Sequence, residues 1–396
     1  MKSPLTVLET HPVQYHAPVY RALAKELGVD VTAVYGSDFS VQGYQDKEFG
    51  ASFAWDTDLL GGMRSHFIGR VSEGGAANYE SVTGRGVASA MQTLAPSVVM
   101  ALGYAHPFDR AVLKSARQQS IPLLFRGETS DHARQRGLIK TLLRDWMLRA
   151  LYKRCSGLLY VGERSRAHYR RLGVPDSRLF FSPYCVETTT FQSTDEDRTA
   201  MRKPTRQRLG IAEDAIVILY SGKLSERKGV DLLPQAVRLL PSAIQRRAHL
   251  LFIGDGALRS ALEQECQNAP QVSTTFTGFQ NQSALSALYH AADLLVLPSR
   301  SMETWGLVVN EALMHGLPCV VSQGVGSQPD LVIPGKTGSV SAGDDAHSLA
   351  RALNEVMDWF GNEGVPGACR SQVAPYIPRR AAEGIFQAMK SLQLKS

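Results

Sequence analysis

The chain has few cysteines and no long apolar run, and both features limit the classes of protein to which it can belong. Its cysteines are scattered, odd in number and never spaced C-x-x-C: Cys155, Cys185, Cys266, Cys319 and Cys369. A disulfide framework or a zinc site is therefore not expected, and a reducing cytoplasm is the default compartment. The first residues, MKSPLTVLETHP, lack the apolar core of a signal peptide, and no stretch reaches the roughly 18 apolar residues of a membrane span. We expect a soluble protein, cytoplasmic or peripheral at the inner face of the membrane.

Neither sign of charge dominates the composition. The chain has 43 Lys and Arg against 37 Asp and Glu, a net charge of +6. This mild excess favours acidic partners such as phosphates or anionic lipid, and it is too small to indicate a nucleic-acid partner. With 396 residues the chain exceeds one ordinary hydrophobic core, so two domains are expected.

Two series of strand-like segments alternate with helix-like segments. The first series comprises 5–9, 29–35, 97–101, 121–125, 157–161 and 179–182. The second comprises 216–221, 249–253, 274–277, 294–297, 319–322 and 337–340. This alternation predicts an α/β fold with two Rossmann-like, doubly wound domains facing across a cleft, and ligands in such sheets bind at the carboxyl ends of the strands.

Composition places the boundaries between these parts. We expect an N-terminal domain at 1–190, a polar linker with a first helix at 191–210 and a second domain at 211–370. The remaining segment, 371–396, has a helical pattern, and the sequence leaves its packing open.

The segment 299–318, SRSMETWGLVVNEALMHGLP, is the most informative part of the chain. It follows a strand that reads as buried, with Glu303 in a loop and Glu311 eight residues later inside an apolar-periodic helix. Thr304 is the predicted N-cap, which leaves three amides facing the sheet edge: Trp305, Gly306 and Leu307. Free amides at a helix N-terminus attract phosphate, and flanking carboxylates hold sugar hydroxyls, so this pattern predicts a site for an anionic, polyhydroxylated ligand.

The second half of the chain resembles the retaining GT-B glycosyltransferases of family 4, also called glycosyltransferase group 1. Four segments match in order: SGKLSERKG at 221–229, LFIGDG at 251–256, FTGF at 276–279, and METWGLVVNEA at 302–312, which is similar to an E-x7-E motif. Their order and spacing, followed by GLPCVVS and a loop at 326–332, are more specific than any one segment. The resemblance covers 215–340 strongly and the N-terminal half loosely.

The resemblance implies a nucleotide-sugar donor site on the second domain. Lys223 and Lys228 would grip the donor diphosphate, so that no metal or other cofactor is expected. Glu311 would bind the ribose hydroxyls, and Glu303 would lie near the donor sugar. Further donor-side positions are Gly254, in the strand-to-helix turn, and Gly278 with Phe279, beside the nucleobase. The alternatives are a solvated turn for the lysines, an exposed or capping carboxylate for Glu311, and a core side chain for Phe279.

The first domain departs from the family pattern. Its first strand-to-helix loop, at 9–18, is often glycine-rich in the family, and here it reads ETHPVQYHAP. Its polar side chains are candidates for the acceptor side of the cleft, together with Arg126 and a looser pair at Trp55 and Asp56. The loop's candidates are His11, Gln14, Tyr15 and His16.

Two more loops of the first domain follow predicted strands. One holds His106 and the other holds Glu128, each placed to orient or activate an acceptor hydroxyl. With Glu303 they complete the predicted catalytic set. The alternative for Glu128 is that it pairs with Arg126 and only shapes its loop.

A basic amphipathic helix is predicted within 132–155. Its apolar positions fall on one stripe: Leu138, Leu142, Leu143, Trp146, Met147, Ala150 and Leu151. Such a helix can lie on an anionic bilayer and bring a lipid-linked acceptor to the cleft. The alternative is an ordinary surface helix whose apolar stripe packs on the sheet.

The expected function is therefore transfer of a sugar from a UDP- or GDP-sugar to a glycan, a lipid-linked acceptor or a small molecule. Retention of the anomeric configuration is implied by the resemblance alone. Two alternatives stay open: a non-catalytic nucleotide-sugar-binding subunit, and a hydrolase, epimerase or phosphorylase that uses the same donor cleft.

Overall fold

The computed structural model describes residues 5–41, 44–46, 51–53, 57–131, 137–268 and 271–393. The strands of its first domain are β1 (Leu5–Glu9), β2 (Val31–Tyr35), β3 (Tyr44–Asp46), β4 (Ala51–Phe53), β5 (Arg64–Phe67), β6 (Val98–Ala101), β7 (Leu123–Arg126), β8 (Gly157–Tyr160) and β9 (Leu179–Phe181). Among the described residues, seven of them form a parallel sheet in the order β5-β2-β1-β6-β7-β8-β9, and β3 pairs with β4 as an antiparallel hairpin. The strand order reverses direction at β1, next to β6, where doubly wound sheets bind their ligands.

Five helices that lie between its strands in the chain cover this sheet in the described residues. They are α1 (Ala17–Lys25), α2 (Val87–Leu94), α3 (Pro107–Gln118), α4 (Leu138–Arg154) and α5 (Glu163–Arg171). Proline near the first position favours the starts of α1 and α3, because its missing N–H would have no helical partner there. Short 3-10 turns add Val71–Glu73, Tyr79–Ser81, Asp176–Arg178, Thr188–Thr190 and Glu226–Lys228.

The second domain is built on another parallel sheet. Helix α6 (Asp195–Arg208) precedes its first strand. The strands are β10 (Ile216–Ser221), β11 (Ala248–Ile253), β12 (Ser273–Phe276), β13 (Leu294–Leu297), β14 (Cys319–Ser322) and β15 (Gly338–Ser341). In the described part of the chain they pair in the order β12-β11-β10-β13-β14-β15. Every residue of β10, β11, β13 and β14 is buried, as expected for strands covered by helices on both faces.

The remaining helices follow in chain order. They are α7 (Leu232–Arg238), α8 (Ser242–Gln245), α9 (Arg259–Gln267), α10 (Gln282–Ala291), α11 (Leu307–Met314), α12 (Gln328–Leu331), α13 (Ala346–Met357), α14 (Gly364–Val373) and α15 (Pro378–Gln393). None of the helices in the described ranges is both long enough and apolar enough to cross a bilayer.

The polar segment at 191–210 packs on the second domain through α6. Arg202 and Arg206 of α6 both pair with Asp293, at 2.5 and 2.8 Å, and both also donate to backbone carbonyls at the end of α10. Positive side chains at the carboxyl end of a helix satisfy its last carbonyls and complement its dipole. The segment is therefore tied to the second domain by these ion pairs and by Phe191 and Leu209, which pack in the apolar cluster of that domain.

The C-terminal helix α15 returns to the first domain. Ala381, Ile385 and Ala388 are buried in the same apolar cluster as Leu5 and Val7 of β1. The amphipathic pattern of α15 thus buries its apolar face against α1 and the first sheet, although the chain has already completed the second domain. The first domain is therefore completed by the last helix of the chain.

Candidate functional site

The two domains meet near the carboxyl ends of their sheets. The backbone amide of Glu163, at the start of α5, donates to both carboxylate oxygens of Asp330 in the second domain, at 3.0 and 3.2 Å. Burial raises the pKa of Asp330 to about 6. The Arg164 guanidinium donates to the carbonyl of Gln323, at 2.7 Å. These contacts hold the loops of the two sheets beside one another and border the cleft between them.

Lys228 and Glu303 form an ion pair on the second-domain side of the cleft. The Lys228 ammonium donates to a Glu303 carboxylate oxygen, which also accepts from the Ser299 hydroxyl at 2.9 Å. Both charged side chains are largely removed from solvent. The sequence predicted both residues for the donor site, and the structure brings them into direct contact. A diphosphate entering here would compete with Glu303 for the ammonium.

Three strand ends converge beside this ion pair. Gly254, after β11, donates its amide to the carbonyl of Gly278, after β12, at 2.8 Å. A Cβ on Gly254 would lie 2.0 Å from the carbonyl oxygen of Gly222, which follows β10 and directly precedes Lys223. Only glycine allows this approach, and its φ of +121° also favours glycine. Lys223, Gly254, Gly278 and the adjoining Phe279 therefore lie at one sheet edge, as the sequence predicted.

Helix α11 begins later than the sequence predicted. Gly306, with φ of +92°, occupies the N-cap position, and Leu307 is the first helical residue. Thr304 is not the cap, so this prediction was wrong. A left-handed glycine sets the helix direction, and the capping position makes no side-chain hydrogen bond. The amides without an intrahelical acceptor accordingly begin at Leu307 and Val308 rather than at Trp305.

Glu311 is buried one turn into α11. Its carboxylate accepts a hydrogen bond from the Tyr289 hydroxyl at 2.6 Å. Burial raises the pKa of Glu311 to about 7, since the interior disfavours its charged form, while the Tyr289 hydrogen bond opposes this rise. The alternative of an exposed or capping carboxylate is wrong. A buried carboxyl group with one tyrosine partner retains acceptor capacity for a ligand's hydroxyl groups.

Trp305 joins the two domains. Its indole N–H donates to the Asn310 side chain at 2.8 Å, and Asn310 in turn donates to the carbonyl of Tyr184 at 3.4 Å. The rings of Trp305 and Tyr184 lie 5.9 Å apart, and Trp305 also packs on Tyr376. Trp305 is therefore buried at the contact between the two domains.

On the first-domain side, Glu9 ends strand β1 as a buried carboxylate. One of its oxygens accepts from the Tyr20 hydroxyl and lies 3.1 Å from Nδ1 of His16. The His16 ring stacks on Tyr184 at 6.1 Å with an interplanar angle of 7°, and Tyr15 meets the same ring edge-on. The first loop thereby places His16 and Tyr15 against the aromatic cluster that reaches Trp305.

This loop also holds buried polar atoms without a hydrogen-bond partner. Among the described residues they include the second oxygen of Glu9, Nε2 of His16 and the amide oxygen of Gln14. Unpaired buried polar atoms are costly, and several in one loop indicate a place where a polar ligand completes the network. His11 lies further along the same edge, packed on Phe39, and burial lowers its pKa to about 4, so its ring is neutral.

His106 serves as the cap of helix α3. Its Nδ1 accepts from the amide of Phe108 at 3.2 Å, and its Nε2 lies 3.2 Å from the carbonyl of Tyr79. An Nδ1 that accepts requires the proton on Nε2, which then donates to that carbonyl. In this conformation His106 has no free nitrogen with which to take a proton from an acceptor.

Glu128 and Arg126 do not pair with each other. Glu128 accepts from the Tyr184 hydroxyl, while the Arg126 guanidinium donates to the hydroxyl and carbonyl of Ser182 and to the carbonyl of Pro183. Arg126 also lies 5.1 Å from the centre of the Tyr184 ring. The expected alternative of an Arg126–Glu128 pair is therefore wrong. Arg126 is buried and holds the backbone that carries Tyr184.

The remaining predicted positions fall outside this cluster. Trp55 and Asp56 lie outside the described residues. Sequence reasoning did not single out Glu9, Tyr184, Asn310 or Asp330. A carboxylate ending the otherwise apolar strand LTVLE was a signal for Glu9, whereas the other three become recognisable only through contacts between distant segments. Within the described ranges no three Cys, His, Asp or Glu side chains are grouped to hold a metal ion.

Comparison with known sequences identifies the second domain. Residues 201–359 match the family described as glycosyl transferases group 1. An uncharacterised glycosyltransferase of Methanocaldococcus jannaschii is 32% identical over 171 residues, which is 42% of this chain and 43% of that protein. The match thus spans less than two thirds of the relative, and it places the group 1 domain in the half that carries Lys228, Glu303 and Glu311.

Solved structures extend the similarity to the whole chain. Sucrose-phosphate synthase of Thermosynechococcus elongatus superposes with a TM-score of 0.72 at 20% identity, covering 100% of both chains. The Anabaena HepE protein, solved in complex with UDP and glucose, gives a TM-score of 0.68 at 15% identity, covering 98% of this chain and 99% of that one. The group 1 domain is therefore the second half of a GT-B fold, as the sequence predicted.

Proposed function

We propose that this protein is a glycosyltransferase that moves a sugar from a nucleotide diphosphate sugar to an acceptor hydroxyl, with retention at the anomeric carbon. The observation that carries the proposal is the partly buried Lys228–Glu303 ion pair, which lies in the segment that matches the group 1 family together with the buried carboxyl group of Glu311. A cation together with free helix amides suits a diphosphate, and a buried carboxyl group suits the hydroxyl groups of a ribose.

The donor occupies the second-domain side of the cleft. Lys228 leaves Glu303 and, with Lys223 and the first amides of α11, binds the diphosphate. Glu311 accepts hydrogen bonds from the ribose hydroxyls, and the backbone at Gly278 borders the base. Glu303, released from the ammonium, turns to the hydroxyls of the donor sugar. Because two ammonium groups neutralise the leaving diphosphate, the reaction needs no metal ion.

The acceptor attacks from the face that the diphosphate leaves. The bond from the anomeric carbon to the phosphate oxygen breaks as the bond to the acceptor oxygen forms. The departing phosphate oxygen takes the acceptor proton, so no protein base is required. This suits an N-terminal domain in which His106 is used as a helix cap.

The first-domain loop favours catalysis over a non-catalytic binding subunit. A subunit that only holds nucleotide has no use for the unpaired buried atoms of Glu9, Gln14 and His16, which lie on the opposite domain. In the proposed reaction they bind the acceptor or the donor sugar through hydrogen bonds. A glycan, a lipid-linked sugar and a small molecule all provide suitable hydroxyl groups.

The test is to incubate the purified protein with a panel of UDP- and GDP-sugars. We expect one donor to raise the thermal unfolding temperature and to be hydrolysed slowly without acceptor, and a cell-derived acceptor extract should accelerate its consumption. The anomeric configuration of the product, read by NMR, should match that of the donor. A new sugar isomer would instead indicate an epimerase, and tight binding without turnover in the presence of the extract would indicate a binding subunit.

A further inference from the structure

Helix α4 packs on the first domain with the face that the sequence did not select. Leu148 and Tyr152 are buried, whereas five of the seven residues of the predicted apolar stripe are exposed. Leu138 is 84% exposed, Trp146 73% and Leu142 68%. The expectation that this stripe packs on the sheet is therefore wrong.

Ion pairs fix this orientation. Asp145, the single acidic residue between 137 and 154, is buried and pairs with Arg171 of α5. Arg144 lies 3.8 Å from Asp145 and 3.5 Å from Asp131, so its charge is also used within the protein. The buried carboxylate of Asp145, paired with the half-exposed Arg171, anchors the inner face, since rotating the helix would leave Asp145 without its partner.

The outer face carries a concentrated apolar patch. Among the described residues, six of the eleven exposed large apolar side chains lie on the first ten residues of α4: Leu138, Ile139, Leu142, Leu143, Trp146 and Met147. Single exposed apolar residues are ordinary on a soluble protein, but a contiguous group of this size marks an interaction surface.

Cations continue the same face. Arg149 and Lys153 lie seven residues, or two helical turns, beyond Leu142 and Trp146, and both are exposed. A groove of about 790 Å³ between α3 and α4 begins at Trp146 and Met147. Its rim carries the charged side chains Arg110, Lys114, Arg117 and Arg154. The face thus changes from apolar to basic along its length and carries no exposed carboxylate of α4.

We propose that this apolar and basic face of α4 docks the protein on an anionic lipid bilayer. The apolar side chains of the first turns enter the interface between head groups and acyl chains. Arg149, Lys153 and the groove rim then contact the anionic head groups. Because α4 follows the loop at the carboxyl end of β7, docking places the bilayer beside the edge of the sheet that borders the cleft. The inference concerns a lipid surface and does not depend on the proposed transfer reaction.

Charge favours a bilayer over a second copy of the chain. A two-fold dimer through this face would leave the cations of α3 and α4 either facing one another or without an anionic partner, since this face of α4 carries no carboxylate. Like charges across an interface weaken association, whereas an anionic membrane neutralises all of them. The occupant that fits is therefore an extended anionic surface with an apolar interior.

The test is sedimentation of the full-length protein with vesicles, without nucleotide sugar or acceptor. Vesicles of phosphatidylcholine with about one third phosphatidylglycerol should bind the protein at least tenfold more strongly than phosphatidylcholine alone. The double variant Leu142→Glu with Trp146→Glu should reduce partitioning by about tenfold or more, and Arg149→Glu with Lys153→Glu should abolish the preference for anionic lipid. Leu239→Glu and Arg246→Glu, at exposed positions of the second domain, are matched controls that should bind as the wild type does.

Circular dichroism and nucleotide affinity should be unchanged in the variants, because the substituted side chains are exposed and lie outside the donor site. Equal binding to both kinds of vesicle, or no effect of the Leu142 and Trp146 substitutions, would overturn the proposal. Analytical ultracentrifugation gives the remaining decisive result: a wild-type dimer that the same double variant dissociates would assign the face to a second copy of the chain. Any of these results leaves the transfer reaction to be judged by its own assay.

Discussion

The ammonium of Lys228 donates to the carboxylate of Glu303 across 75 residues of sequence. Lys228 is set by a 3-10 turn after β10, and Glu303 by the loop after β13, two strands that are neighbours in the second sheet. Sheet order therefore brings together two residues that the sequence separates. The pair holds the Lys228 ammonium at the carboxyl edge of the second sheet, where the proposed donor would bind.

Lys228→Ala should weaken binding of UDP or GDP by roughly tenfold to a hundredfold, because a hydrogen bond to a charged group contributes about 1.5–3 kcal/mol. The affinity for the corresponding nucleoside, which lacks the diphosphate, should change little. Isothermal titration calorimetry measures both affinities. Lys336→Ala is the matched control, since this exposed lysine precedes β15 and so lies at the opposite edge of the sheet.

The same substitution should also lower stability, which gives a second readout. Lys228→Ala leaves the Glu303 carboxylate buried with the Ser299 hydroxyl as its remaining described partner, and an unpaired buried group costs about 1–3 kcal/mol or more. Adding Glu303→Gln should restore most of the free energy of unfolding in urea, but not the nucleotide affinity. If the double variant regained full affinity, the diphosphate role of Lys228 would be wrong.

The strands were predictable from sequence because both sheets are covered on both faces. Continuous apolar runs such as IVILYS in β10 mark buried parallel strands, and the predicted and observed bounds of β1, β10, β13 and β14 coincide. Strand β5, RSHF, was not predicted, since it lies at the sheet edge and its residues are mostly exposed. Without burial there is no apolar pattern to read.

A local motif predicted Glu303 in a loop and Glu311 inside the helix that follows, and the structure has both residues there. Contacts between distant segments could not be predicted, which is why Tyr184 and Asp330 were missed. The inner face of α4 was also misjudged. That helix has apolar residues on both sides. The Asp145–Arg171 ion pair determines which side packs on the domain, and hydrophobic periodicity does not reveal such a pair.

Glu311→Gln should increase the stability of the protein above neutral pH and weaken its affinity for the nucleotide. Burial raises the pKa of Glu311 from 4.5 to about 7, so the folded state retains a proton that the unfolded chain loses. The wild type therefore loses stability as the pH rises from about 4.5 to 7, by roughly 3 kcal/mol in total, and the penalty stays constant at higher pH. The glutamine variant avoids this penalty. Urea unfolding at pH 5 and pH 8 should show it to be relatively more stable at the higher pH.

Nucleotide binding should respond in the opposite direction. A carboxylate accepts hydrogen bonds from two ribose hydroxyls better than a neutral carboxyl group does, so wild-type affinity should rise as the pH increases through about 7. Glu311→Gln should bind more weakly at pH 8 and lose this dependence. Nucleotide titrations of the wild type and the variant across this pH range test the prediction. If the variant kept the pH dependence of the wild type, Glu311 would not bind the ribose.

Asp330→Ala should loosen the contact between the domains. It removes the acceptor for the Glu163 amide and for the Tyr376 hydroxyl, which donates to Asp330 at 3.1 Å. Small-angle X-ray scattering should detect a larger average radius of gyration, and Asp330→Asn should have a smaller effect because its amide oxygen still accepts. Asp358→Ala, at an exposed position of the same domain, is the control. An unchanged scattering profile in Asp330→Ala would show that other contacts hold the domains together.

His16→Asn should separate sugar transfer from nucleotide binding. The asparagine amide can still hydrogen-bond to Glu9 but cannot fill the position of Nε2, the buried atom that has no partner in the described structure. Because the nucleotide is held by the second domain, its affinity should be unchanged, while kcat/KM for transfer should fall by about tenfold to a hundredfold, as expected for loss of one polar contact in a buried site. His66→Asn, on the exposed edge strand β5, controls for the loss of an imidazole. A parallel loss of nucleotide affinity would mean that His16 maintains the cleft as a whole, and an unchanged kcat/KM would remove the first loop from the reaction.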